Sequence, residues 1–214
     1  MSAPRSQPLL PLFPLPNVVL FPGIPVPLHI FEPRYRAMVA DALESDRRIG
    51  MVLLKPGFEA DYEGRPPIFS IGSSGVIVHS TKLDNGRYNI VLNGLERVRV
   101  IEEDHERPYR RAAVEVLPDL PLDDEETSAV RELRRRLEHF AGLADERPHP
   151  PGSASHQLRE MPDAHFIHVL AHASDFEPLE KQAVLEAATL PQRAQALLSL
   201  FELREIGQPS RWSM

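Results

Sequence analysis

Cysteine is absent from the 214 residues, lysine occurs only as Lys55, Lys82 and Lys181, and there is a single tryptophan. No cysteine means no disulfide, no thiolate zinc site, no cysteine nucleophile and no dithiol redox couple. No apolar run is long enough to span a bilayer. Residues 1–8 hold one arginine and two prolines where a secretory leader would place a continuous apolar segment. The expectation is a cytoplasmic protein without a membrane partner. There is no GxxxxGK[ST] run, so no phosphate-cradling loop for a P-loop ATPase, and no HExxH, nucleophile elbow or dinucleotide fingerprint. A Ser-Lys dyad needs a desolvated lysine beside a serine, and only Lys82 near Ser80 invites that reading. An exposed lysine approaching a hairpin accounts for the pair better.

What is present suits a soluble globular fold: 42% hydrophobic and 26% charged residues can bury a core. Residues 1–118 carry 14 acidic and 14 basic side chains and residues 119–214 carry 17 and 10, so the net −7 belongs wholly to the second half. An acidic half beside a neutral one is a poor match for phosphates, which weighs against nucleic acid.

The stretch from Leu9 to Tyr35 is too proline-rich for a helix and too apolar for a linker. Proline fixes φ and removes a donor, so these apolar pieces read as short strands and turns. At Glu32-Pro33 the pattern becomes helical, with Tyr35, Met38, Val39, Ala42 and Leu43 on one face. Ile49–Lys55 reads as a buried strand, residues 57–67 as a loop, and Ile68–Leu83 as a strand in which Gly72 and Gly75 mark a bulge or a close backbone approach. Asp84-Asn85-Gly86 is a hairpin turn. Tyr88–Leu92 follows, then a second Asn-Gly pair at Asn93-Gly94, and two more strands around Val98–Ile101 and Ala113–Leu117. Short strands joined by glycine turns suggest a compact barrel.

Near residue 118 the period switches to 3.6. Asp123 and Glu126 resemble a capping box, Asp124 and Glu125 suit a helix N-terminus, Val130, Leu133, Leu137 and Phe140 line one face, and Gly142 suits the stop. Residues 145–158 are expected to be a flexible connection. Three helices follow at about Pro162–Ala173, Pro178–Ala188 and Pro191–Ile206, each with proline near its start. The tail from Gly207, with Trp212, is expected to be loose.

The run LPLFPLPNVVLFPGIPVPLHIFEPRY closely resembles the opening of the substrate-binding amino-terminal domain of ATP-dependent Lon proteases. The resemblance continues through Asp84–Tyr88, Gly94–Val98 and the helices around Lys181-Gln182 and Arg193. It implies an α+β fold, a PUA-like β pseudo-barrel (1–118) followed by a C-terminal helical bundle (119–214), the two together offering a concave surface. It implies a non-catalytic module that binds unfolded or degron-bearing polypeptide or a partner protein, without the ATPase and peptidase modules and with no cofactor. The alternatives are a PUA-like RNA- or small-ligand-binding module and a metal-dependent enzyme.

The candidate peptide-binding residues are Asn17, Val19, Phe21, Pro22, Phe31, Arg34 and Tyr35. A rim loop over Asn17–Gly23, locked by Pro14, Pro16 and Pro22, would dock polypeptide at little entropic cost. The competing reading makes Val18–Phe21 a barrel strand covered on both faces. Arg34, Arg97 and Arg193 are expected to pair with carboxylates such as Glu32 or Glu96. His165, His168 and His172 form one stripe at helical spacing, which is metal-ligand geometry in principle. Phase sets that stripe opposite Phe166, Ile167, Leu170 and Ala173, so it is expected to be solvated rather than metal-binding, with Asp163 the only nearby carboxylate. Glu102-Glu103-Asp104 reads as a solvated strand end, not an acid-base pair.

Overall fold

The computed structural model describes residues 9–58, 64–143 and 153–207. The chain is α+β and divides after Pro118 into two compact units.

The first unit holds β1 (Leu10–Leu15), β2 (Pro25–Ile30), α1 (Pro33–Leu43), β3 (Arg48–Leu53), β4 (Ile71–Lys82), β5 (Tyr88–Asp104) and β6 (Arg110–Leu117). The sheet order is β2-β5-β4-β3-β1-β6, and β5 also pairs with β6, so five strands close into a ring. Among the described strand pairs only β1 and β3 are parallel. The long β5 makes closure possible: its first part, Tyr88–Asn93, pairs with β2, and Arg97–Asp104 pairs with β6. Leu10, Leu12, Val52, Val98 and Ala112 form a core cluster inside.

Two Asn-Gly pairs behave differently. Asn85-Gly86 makes the β4–β5 hairpin, with Gly86 at φ 75 and Leu83 N–H donating to Arg87 O at 2.8 Å. Asn93-Gly94 makes no turn and lies within β5. Gly94 is needed for space instead: a Cβ there would sit 2.1 Å from Phe21 O. Its carbonyl accepts from Gly23 N–H at 2.9 Å and its own N–H donates to Ile24 O at 3.0 Å. Gly72 plays the same part, since a Cβ would meet Met51 O at 2.3 Å. The β4–β5 register shifts between Ser74 and Gly75, where the β5 partners step from Glu96 to Gly94.

α1 starts as expected, with Pro33 at its first position and Tyr35, Met38, Val39 and Ala42 buried. Glu32 makes no capping bond from its side chain. Its carboxylate takes Arg34 Nε at 3.0 Å.

The second unit contains α2 (Asp124–Phe140), α3 (Ala154–Glu160), α4 (Asp163–Ala173), α5 (Pro178–Glu186) and α6 (Leu190–Gly207). α2 carries the capping box: Glu126 N–H donates to Asp123 Oδ1 at 2.8 Å and Asp123 N–H to Glu126 Oε2 at 3.2 Å. Gly142 follows its end at φ 69. α3 replaces part of the expected flexible connection; Ser153 caps it by accepting from His156 N–H at 3.2 Å. Arg134 of α2 holds its far end, donating to Leu158 O at 3.0 Å and Arg159 O at 2.8 Å and pairing with Asp163 at 2.7 Å. Carbonyls left open at a short helix's C-terminus thus gain charged donors. The expectation of a loose tail with Trp212 lies outside the described residues.

Arg193 is 0% exposed. It pairs with Asp119 at 2.5 Å and donates to Ala187 O at 3.2 Å. Its carboxylate is therefore neither Glu32 nor Glu96, and Glu96 pairs with Arg48 at 3.0 Å. Arg97 is buried on β5.

Candidate functional site

Segment Val18–Phe21 fits neither reading taken from the sequence. It forms no strand, yet Val19, Leu20 and Phe21 are buried, with Phe21 at 0% exposure. Ser73 Oγ donates to Leu20 O at 2.6 Å, so the segment crosses β4 and β5 and fills the space their glycines leave open. Val19 and Phe21 are therefore core residues and cannot offer apolar side chains at a rim. Burying a phenylalanine is worth about 1.5–3 kcal/mol, which a loop of this composition realises by folding inward. Asn17 is exposed and Pro22 partly so. Phe31 is the apolar candidate that faces solvent, at 57% exposure, stacked on His29 with ring centroids 6.1 Å apart.

Arg34 and Tyr35 lie elsewhere, in the wall of a cleft of about 280 Å³ in the first unit. The start of α1 supplies both. The loop after Leu54 supplies Arg65 and Pro66, and the β5–β6 connection supplies Pro108, Tyr109 and Arg110. Arg34 stacks over the Tyr35 ring at 4.6 Å, Tyr35 packs on Phe13 at 4.5 Å, and Arg34 Nη1 donates to Gly64 O at 3.3 Å. Arg110 grips Glu103 with Nε at 2.7 Å and Nη2 at 3.1 Å, while its Nη1 donates to Pro66 O at 2.8 Å. Arg65 reaches the same Glu103 only at 4.0 Å.

Tyr109 donates to Asp41 Oδ2 at 2.6 Å. Burial first, and then that bond, push its hydroxyl up to about 12. The phenol therefore stays protonated at neutral pH and acts as a donor, not a base. Among the described residues the cleft is lined by arginine, tyrosine, proline, leucine and glycine, a hydrogen-bonding and apolar surface.

Sequence reasoning reached Arg34 and Tyr35 but missed Arg65, Tyr109 and Arg110. Glu102-Glu103-Asp104 ends β5 as expected, with Glu102 exposed, but the other two carboxylates are engaged in ion pairs. Glu103 serves Arg110, and Asp104 pairs with Arg111 across the β5–β6 ladder. A signal was present: an acidic triplet and Arg110-Arg111 flank a short polar turn, the layout of cross-strand ion pairs.

The histidine stripe is corrected too. His168 is 3% exposed, and His165 and His172 are partly buried. α4 packs against α2, α5 and α6, not against one neighbour alone. The buried face is Phe166, Ile167, His168 and Ala171, whereas Ala173 is exposed. Burial first, and then the Lys181 ammonium, hold His172 below the usual imidazole value. Among the described residues no group of three or more histidines, aspartates or glutamates is placed to hold a metal. Lys82 is exposed near the hairpin, its Nζ 5.7 Å from the Tyr88 ring centroid.

The family model of the ATP-dependent protease La (LON) substrate-binding domain matches residues 9–202. The chain belongs to that family. Among curated relatives, this LON domain is 32% identical over 194 residues to Lon protease 2 of Myxococcus xanthus, covering 90% of this chain and 23% of the relative. It is 24% identical over 204 residues to Lon protease of Escherichia coli K12, covering 94% and 26%. The chain thus spans about a quarter of these relatives' length. In fold it is similar to the N-terminal domain of the Mycobacterium avium complex Lon protease, with TM-score 0.69 and 17% identity over 91% of this chain and 98% of that one. It is also similar to a Lon N-terminal domain protein from Xanthomonas campestris, with TM-score 0.59 and 22% identity, covering 90% and 98%.

Proposed function

We propose that this LON domain binds unfolded or degron-bearing polypeptide without catalysing a reaction on it, working in the cytoplasm. The observation that carries the reading is the match of the substrate-binding domain model over residues 9–202. The surface assigned to the task is Phe31 together with the cleft of Arg34 and Tyr35. Among the described residues no helix is long and apolar enough to cross a membrane. An RNA-binding role gains no support from the cleft, because its arginines face Glu32 and Glu103 and their field is largely cancelled.

The test is fluorescence anisotropy with labelled, reduced and carboxymethylated α-lactalbumin as the unfolded probe and native lactalbumin as control. Wild-type chain is expected to bind the unfolded form only. Phe31→Ser is expected to weaken binding about tenfold, the loss of one buried aromatic contact, while the melting temperature stays unchanged because the ring is mostly exposed. Equal binding of both lactalbumin forms, or none to either, refutes the function. Unchanged affinity in the variant removes Phe31 from the surface.

A further inference from the structure

Among the described residues the three cleft arginines face two carboxylates, so one positive charge is not matched pair by pair. Arg110 takes both oxygens of Glu103 in a fork geometry. Arg65 is left with a 4.0 Å approach to that same carboxylate and a 3.4 Å bond from Nη1 to Asp104 O. Its Nε and Nη2 have no partner among the described residues, and its side chain is about one-third exposed at 34%. Among the described residues two guanidiniums thus share one carboxylate, leaving one positive charge facing a cavity whose other walls are Pro14, Leu54, Gly64, Pro66, Pro108, two tyrosine rings and Arg34, itself paired with Glu32. A single excess charge suits a monoanion. A phosphate dianion would leave one charge uncompensated beside Glu103 and Glu32, in a space partly closed to water.

We propose that the Arg65–Arg110 side of this cleft recognises one carboxylate of a bound polypeptide, either its free C-terminus or an aspartate or glutamate side chain, with the prolines and rings receiving the attached apolar residue. The proposal rests on the polypeptide-binding reading and names the chemistry it selects. Planar two-point recognition of carboxylate is what an arginine fork does best, and the apolar walls raise the strength of each charged bond.

Three fluorescein-labelled octapeptides of one apolar sequence separate the sources: one ending in a free leucine carboxylate, its C-terminal amide, and the amide with one internal glutamate. The free acid is expected to bind about tenfold more tightly than the amide, the usual worth of a hydrogen bond to a charged group. Arg65→Gln is expected to erase that difference with the melting temperature unchanged, and Arg65→Lys to restore part of it. Glutamate-amide binding at the level of the acid assigns the side chain as the source. Equal affinity for all three peptides overturns the proposal, as does inorganic phosphate displacing the acid peptide as well as acetate does. If no peptide binds, ¹⁵N spectra of arginine Nε–H groups decide, with N-acetyl-leucine titrated against N-acetyl-leucinamide. Shifts of Arg65 and Arg110 with the acid alone keep the carboxylate site and refute only the polypeptide reading. No shift refutes the site.

Discussion

Gly94→Ala tests whether β5 needs that glycine for space or for conformation. A Cβ would lie 2.1 Å from Phe21 O and 2.9 Å from Phe21 C, both backbone atoms with no freedom to rotate away. Relief requires the Leu20–Ile24 segment to retreat by about 1 Å from β5, since nonbonded carbon and oxygen rarely approach within about 3 Å. That retreat breaks the Gly23–Gly94 and Gly94–Ile24 hydrogen bonds, of 2.9 and 3.0 Å, each worth about 1 kcal/mol. It also drives the buried Leu20 and Phe21 side chains into packed neighbours, a further cost of about 1–3 kcal/mol. The expected total is about 3–5 kcal/mol, a melting shift on the order of 10 °C or more for a unit of this size. Gly142→Ala is the contrast, because it has φ +69 and nothing within 4 Å, so only the left-handed penalty of about 1 kcal/mol applies. Gly94→Asn sharpens the test: asparagine is tolerated in a turn but meets the same clash here. Urea unfolding by far-UV circular dichroism, with hydrogen exchange of β2 and β5 peptides to assign the loss to the first unit, measures all three. A Gly94→Ala cost no larger than that of Gly142→Ala refutes the close-approach argument.

His168→Ala is expected to destabilise the second unit by about 2 kcal/mol as a cavity in a packed helix face, whereas His165→Ala costs under about 1 kcal/mol; equal small effects in urea melts would return His168 to the solvent. Tyr109 has a folded-state value of about 12 against an ordinary 10.0. The folded state thus keeps a proton the unfolded state gives up, so its contribution is complete below pH 10 and declines between pH 10 and 12. Tyr109→Phe should flatten that part of the stability-against-pH curve, and an unchanged slope would contradict the assignment.

Features set by neighbours in the chain were legible in the sequence. The Asp123–Glu126 box, the Pro33 start of α1, the Asn85-Gly86 hairpin and the Gly142 stop each depend on a few consecutive residues, and each appears in the structure. Features set by distant partners were not. Asn93-Gly94 has the same local signal as Asn85-Gly86, but the chain at Phe21, remote in sequence, decides its role. His168 was misplaced because a phase argument assumes one packed side, whereas α4 has three helical neighbours. The helix Ala154–Glu160 was hidden by the prolines before it, which obscure a segment whose stability comes from Arg134 and a cap rather than from an apolar stripe. Of the cleft's lining, the consecutive residues 34 and 35 were named from the sequence. The part contributed by Arg65, Tyr109 and Arg110 converges only when the barrel closes.

That closure also bears on how polypeptide would dock. β2 ends the sheet, and an end strand is the usual place for an extended peptide to add by backbone hydrogen bonds. Here Gly94 N–H donates to Ile24 O and the register pairs Val26 with Leu92 and Leu28 with Ile90. Antiparallel pairing alternates direction along a strand, so Val26, Leu28 and Ile30 turn their backbone toward β5 and residues 25, 27 and 29 turn theirs outward. Two of those three are Pro25 and Pro27, which have no N–H to offer. The edge has lost most of its donors, a placement that protects an end strand from promiscuous pairing. Side-chain recognition is the route left open on this unit. In the proposed binding, the exposed ring of Phe31 is the apolar contact and the arginine-lined cleft the charged one.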